Sequence, residues 1–140
     1  MDYLDTSILT AYYCAEARSL RVQRLLARLA APAVSPLVEV ELAGAVARKV
    51  RAGDLAPAAA RRIFALFQQH LAEPRFRLVP IQAAEYRLAR QWIEALSTPL
   101  RALDALHLAA ASNQGLNLLT ADRVLAEAAR TLGVRCRLVP

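Results

Sequence analysis

Short apolar runs alternate with helical-period stretches from one end of the chain to the other, which is the pattern of an α/β layer fold with a mostly parallel sheet. Residues 2–5 read as a first strand, with Thr6 or Ser7 capping a helix to about Glu16, and a second helix follows over 17–31. Ala33-Val-Ser35 is a minimal strand. Ser35 as N-cap and Pro36 at the first helical position then open a helix that Gly53 closes. Pro57 starts another helix, which stops before Pro74, and residues 76–81 make the next strand. A helix over 83–96 is broken at Ser97-Thr-Pro99, and a new one runs from about Leu103 to Asn113, ended by Gly115. Residues 116–119 form a strand, 121–132 a helix, and 134–139 a last strand after Gly133. The expectation is five strands and about seven helices in one domain spanning 1–140. Leu25, Leu26 and Leu29, then Ile63, Phe64 and Phe67, then Leu106, Leu108 and Ala109, sit at helical spacing and read as packing residues.

Composition narrows the setting. A chain of 140 residues can bury a core without staples, and Cys14 and Cys136 show neither CxxC nor CxxH spacing, so they read as free thiols in a reducing cytoplasm. No basic and apolar leader opens the chain and no apolar run approaches a membrane span, so a soluble cytoplasmic protein with no membrane partner is expected. The net charge is +6, carried by arginine except for Lys49. Guanidinium groups grip phosphates bidentately and suit a nucleic-acid partner. The same residues, Arg18, Arg21, Arg24 and Arg28 among them, read equally well as the solvated face of a helix.

The acids decide what the charge means. Four of the 12 Asp and Glu stand where a strand gives way to a helix or in a helix's opening turns: Asp5, Glu41, Asp104 and Asp122. That is the edge at which open parallel sheets collect their ligands. On a helical wheel Glu41 shares an arc with Gly44, Arg48 and Arg51, opposite Ala43, Val46, Ala47 and Val50, so it points away from the core. Glu39 falls nearer the apolar arc, and spacing alone leaves it open as the ligand. Asp104, in a helix's first turn, reads equally as a cap. Carboxylates brought together need a cation, and an all-oxygen set without a Cys or His cluster selects Mg²⁺ or Mn²⁺. Metal-assisted hydrolysis of a phosphodiester is the chemistry this suggests. Arg101 and Arg123 are spaced to meet the phosphate, and Thr6, Ser7 and Thr120 to orient an acid or a water. His107, three residues after Asp104, is read as a supporting or packing histidine rather than a ligand.

These segments match a known family. Tyr3-Leu-Asp-Thr-Ser-Ile-Leu9, Ser35-Pro-Leu-Val-Glu-Val-Glu-Leu42, Leu100-Arg-Ala-Leu-Asp-Ala-Leu-His-Leu-Ala109 and Leu119-Thr-Ala-Asp122, in this order across nearly the whole chain, resemble the PIN-domain ribonucleases, specifically the VapC-type toxins of toxin–antitoxin pairs. The resemblance implies a three-layer α/β/α sandwich and Mg²⁺- or Mn²⁺-dependent cleavage of RNA. It also implies homodimers held inactive by a small cognate antitoxin. It makes Asp5, Glu41, Asp104 and Asp122 the acidic quartet, prefers Glu41 to Glu39 because the family's acid directly precedes a leucine, and assigns the accompanying hydroxyl to Thr6 or Ser7. Phosphatases and receiver domains that need a lysine beside their acids do not fit, and four scattered glycines build no phosphate loop. Flap nucleases related to this fold need insertions that 140 residues cannot hold. The competing reading of another class is a non-catalytic RNA-binding or antitoxin-docking module that has kept the fold alone.

Overall fold

The strands are the shortest elements, none longer than 4 residues. The computed structural model describes residues 1–140, with strands β1 (Asp2–Leu4), β2 (Ala33–Val34), β3 (Arg77–Leu78), β4 (Asn117–Thr120) and β5 (Cys136–Leu138). Around them stand helices α1 (Thr6–Tyr13), α2 (Ser19–Leu26), α3 (Leu37–Arg51), α4 (Pro57–Ala72), α5 (Ala83–Glu94), α6 (Ala102–Asn113) and α7 (Arg123–Thr131). All strand pairs are parallel, in the order β3-β2-β1-β4-β5. Within the sheet Tyr3, Ala33 and Leu118 face one core cluster with α5, α6 and α7, while Leu4, Val34 and Leu119 face the other with α1, α2, α3 and α4. Alternate residues thus serve opposite faces of one sheet, which makes the fold a three-layer α/β/α sandwich. No helix is long and apolar enough to cross a membrane.

Several boundaries move from their sequence-based positions, each for a local reason. Asp5, not Thr6 or Ser7, caps α1: its backbone is extended and its carboxylate accepts from the Ile8 N–H at 3.2 Å. Thr6 and Ser7 are already helical, and their hydroxyls turn to Glu41 and Asp5. The helix expected to reach Glu16 ends at Tyr13, and the one expected over 17–31 keeps only Ser19–Leu26, capped at Ala27, with Ala31 at a positive φ of 45° on the way into β2. Ser35 does not cap with its side chain, because its hydroxyl accepts from the Tyr3 hydroxyl; only its carbonyl, accepting from Val38, starts α3. The stretch read as a strand over 76–81 pairs only through two exposed residues of an edge strand. Asp122 caps α7 from outside, so that helix begins at Arg123 rather than Ala121.

Helix α3 buries Val38, Leu42 and Val46, a stripe at fourfold spacing, whereas Ala43, placed on the apolar arc by the wheel, is exposed. The stripe lies one residue earlier than the wheel put it, which moves Glu41 to the boundary between core and solvent. Helix α6 differs in kind. Residues Ala105 to Ala111 are buried without interruption, and a helix apolar all round is a core element. Its alanines allow the close packing against α5 that anchors it, and its first turn, with Asp104, emerges from the core at the sheet's carboxyl edge.

Candidate active site

The strand order reverses between β1 and β4, and in open parallel sheets the crevice beyond the strands' carboxyl ends at such a point is where ligands bind. Asp5 follows β1 there and Asp122 follows β4. The Asp5 N–H donates to the Leu119 carbonyl at 3.2 Å, which carries the sheet ladder up to the acid itself. A cleft of about 500 Å³ opens at this edge, and Asp5, Glu41, Asp104 and Asp122 all line it, with Thr6, Ser7, His107 and Arg101. Glu39 is not among its lining residues.

Asp5 is 4% exposed and fully dressed. Its Oδ1 accepts from Ser7 Oγ at 2.6 Å and from the Ile8 N–H, and its Oδ2 from Thr120 Oγ1 at 2.5 Å. The two hydroxyls also tie down the loop after β4, since Ser7 Oγ accepts from the Ala121 N–H at 2.8 Å and Thr120 Oγ1 from the Asp122 N–H at 2.9 Å. Thr120 is wholly buried behind Asp5 and does not itself face the cleft. Burial pushes the Asp5 carboxyl above its ordinary value, only partly opposed by these hydroxyls, by the His107 ring and by the Ile8 N–H.

Glu41 is held from the other side. Its Oε1 meets Thr6 Oγ1 at 2.8 Å and His107 Nε2 at 2.5 Å. The opposite ring nitrogen of His107 lies 2.8 Å from the Tyr3 hydroxyl, which donates to Ser35 Oγ at 2.7 Å. A chain of polar groups therefore runs from the cleft through an otherwise apolar core, and Tyr3, Ser35 and His107 are each almost completely buried. Burial pushes the Glu41 carboxyl up, but the hydrogen bond and charge of His107, with Thr6 and Arg101, outweigh it and bring the group below its ordinary value.

The other two acids stand at the rim. Asp104 Oδ2 accepts from Arg101 Nε at 3.0 Å, and Asp122 Oδ2 lies 3.5 Å from Nη2 of the same guanidinium. Asp122 Oδ1 caps α7 by accepting from the N–H groups of Val124 and Leu125 at 2.8 and 3.2 Å. Arg101, which the spacing assigned to a phosphate, is thus turned onto the acids. Arg123 is exposed on α7 and is not among the residues lining the cleft. Arg18 and Arg48 do line it. Arg48 shares Glu41's helical arc, so its presence was readable, whereas nothing local marks Arg18, whose guanidinium donates to the Ala121 carbonyl at 3.2 Å. Tyr3 and Ser35 also escaped the sequence reading, and their one signal is that a buried tyrosine hydroxyl must find a partner.

No group of three or more acids, histidines or cysteines is drawn together as a finished ion-binding cluster. The donor set nevertheless fits a hard divalent cation. It is all oxygen, and Glu41 Oε2 and Asp104 Oδ1 make no hydrogen bond to the protein, while neutral hydroxyl and amide donors fix the orientation of Asp5.

Residues 3–131 match the PIN domain family. No curated protein matches the sequence. Among solved structures, the chain is similar to VapC20 of Mycobacterium tuberculosis, a sarcin–ricin-loop-cleaving toxin, at 20% identity and a TM-score of 0.74, covering 91% of this chain and 95% of that one. It is similar to FitAcB from Neisseria gonorrhoeae at 23% identity and a TM-score of 0.69, covering 97% and 96%. VapBC2 from Rickettsia felis, bound to a DNA fragment from its promoter, matches at 18% identity and a TM-score of 0.70 over 100% of both chains.

Proposed function

The chain belongs to the PIN-domain family, and from that premise we propose that it is a VapC-type toxin, a metal-dependent endoribonuclease that hydrolyses RNA phosphodiester bonds and is neutralised by a small cognate antitoxin. The observation that carries the reading is the gathering of four carboxylates from four separate elements into one cleft at the switch point of a parallel sheet. Asp5, Glu41, Asp104 and Asp122 are the residues that would hold Mg²⁺ or Mn²⁺. When bound, such an ion activates a water and neutralises charge developing on the phosphate.

The chain's own groups do the rest. Ser7 and Thr120 fix the direction of Asp5, and His107 and Thr6 fix that of Glu41, so neither inner acid has to reorganise when substrate arrives. Glu41, kept ionised by His107, has its unpartnered Oε2 free to face the ion. Arg18 and Arg48, on the same cleft, supply the positive rim that a phosphate backbone needs. A toxin–antitoxin complex from Klebsiella pneumoniae among the similar structures supports the antitoxin. A homodimer has a candidate surface in the apolar groove between α5 and α6, lined by Tyr86, Ile93 and Leu106. A cytoplasmic setting accords with two free cysteines.

The test is incubation of total RNA with purified protein in Mg²⁺, Mn²⁺ or EDTA, with Asp5→Asn in parallel. Discrete fragments that require both metal and Asp5 support the nuclease. Intact RNA in every lane, with binding retained, favours the non-catalytic docking module.

A further inference from the structure

Arg101 is the one cation in direct contact with the rim acids, and its side chain meets no other group. It stands just before α6 with an extended backbone, and its side chain is 76% exposed. From there the guanidinium spans two elements, donating to Asp104 on α6 and reaching Asp122 at the cap of α7. Nothing else anchors it. The contrast with the inner acids is chemical: Asp5 and Glu41 are dressed by groups built into the fold, whereas Asp104 Oδ2 and Asp122 Oδ2 share one partner on a solvated stem, and only Asp122 Oδ1 is held by backbone N–H groups, as the cap of α7.

We infer that Arg101 is an internal counter-cation that occupies the outer half of the site in the metal-free protein and competes with a divalent ion for Asp104 and Asp122. The inference rests on the functional reading above. Two facing carboxylates left without a cation repel one another, and the guanidinium relieves this while the site is empty of metal. Exposed ion pairs of this kind are weak, so an ion can displace it, but each displacement lowers the ion's apparent affinity. Arg101 then sets the metal concentration at which the site fills. A guanidinium held on substrate phosphate, away from these acids, would have little such effect.

Mn²⁺ binding to the EDTA-stripped protein distinguishes these roles without any turnover. Free Mn²⁺ is followed by electron paramagnetic resonance, with calorimetry in parallel, for wild type, Arg101→Gln and Arg101→Lys at low salt. Arg101→Gln is expected to bind Mn²⁺ about three- to tenfold more tightly than wild type. Arg101→Lys, which keeps the charge, should stay close to wild type, and raised salt should narrow the gap between wild type and Arg101→Gln. Because the side chain is exposed, thermal unfolding should show all three proteins folded. Equal or weaker Mn²⁺ binding by Arg101→Gln overturns the inference while leaving the nuclease reading in place. Wild type that binds no Mn²⁺ at all removes both.

Discussion

The four carboxylates of the cleft form two unlike pairs. Asp5 is buried and Glu41 stands at the edge of the core, each oriented by hydroxyls, with His107 bracing Glu41 through Tyr3. Asp104 and Asp122 stand at the rim, bridged by a solvated guanidinium. The inner pair is preorganised, so its geometry is part of the fold's stability. In the outer pair Asp122 Oδ1 is fixed by the N–H groups that it caps, while Asp122 Oδ2 and Asp104 Oδ2 meet the exposed Arg101 guanidinium. On the proposed nuclease reading, the inner pair orients the chemistry and the outer carboxylates are the ones that meet the incoming ion and substrate.

The largest effect should separate the halves directly. Asp5→Asn is expected to lower cleavage by about 10²- to 10³-fold or more with the fold intact, and Asp122→Asn by clearly less. Equal losses in single-turnover assays would erase the distinction. Asp5→Asn should also change stability with a definite sign. Because burial raises the Asp5 carboxyl in the folded state, its contribution to stability is present at low pH and lost as pH rises above 3.8, the ordinary value, through the raised one. The neutral variant has no such loss, so in EDTA its melting temperature should gain on wild type as pH rises toward 7. Glu41 titrates in the opposite sense, but in both proteins, and cancels in the difference.

Next in size is the brace. His107→Ala leaves a buried tyrosine hydroxyl and a part-buried carboxylate short of a partner, and should cost roughly 2–4 kcal/mol in urea unfolding. Arg101→Gln should leave the urea midpoint nearly unmoved. Tyr3→Phe removes one hydroxyl from the same chain and should cost about 1–2 kcal/mol, with a smaller loss of activity than His107→Ala. The smallest effect belongs to the rim: Asp122→Ala uncaps α7 for about 1 kcal/mol, while Asp122→Asn keeps the cap and should unfold like wild type. A destabilisation by Asp122→Asn as large as that of His107→Ala would show that the rim is as rigid as the core.

Much of this was legible in the sequence because it is local. The alternation of strand and helix, and the places of Asp5 and Asp122 just past strands β1 and β4, follow from periods of two and 3.6 residues, whereas the wheel set Glu41 one residue too far toward solvent. What stayed hidden depends on partners far apart in the chain. Tyr3 and His107 are separated by 104 positions, and neither residue type betrays the other. Asp5 was readable as a strand's last residue but not as the cap of α1, because Thr6 and Ser7 are equally good capping types and only their contacts with Glu41 and Asp5 decide against them. Arg101's spacing placed it by the site, but spacing does not say whether a guanidinium faces a phosphate or a carboxylate.

The central claim is that these four acids hold a divalent ion, and anomalous diffraction from crystals soaked in Mn²⁺ tests it most directly. A peak in the cleft within coordination distance of the Asp5 carboxylate, absent from Asp5→Asn crystals, is the expected result. Crystals of the wild type that show no anomalous density between Asp5, Glu41, Asp104 and Asp122, at Mn²⁺ concentrations that fill other sites, would contradict it.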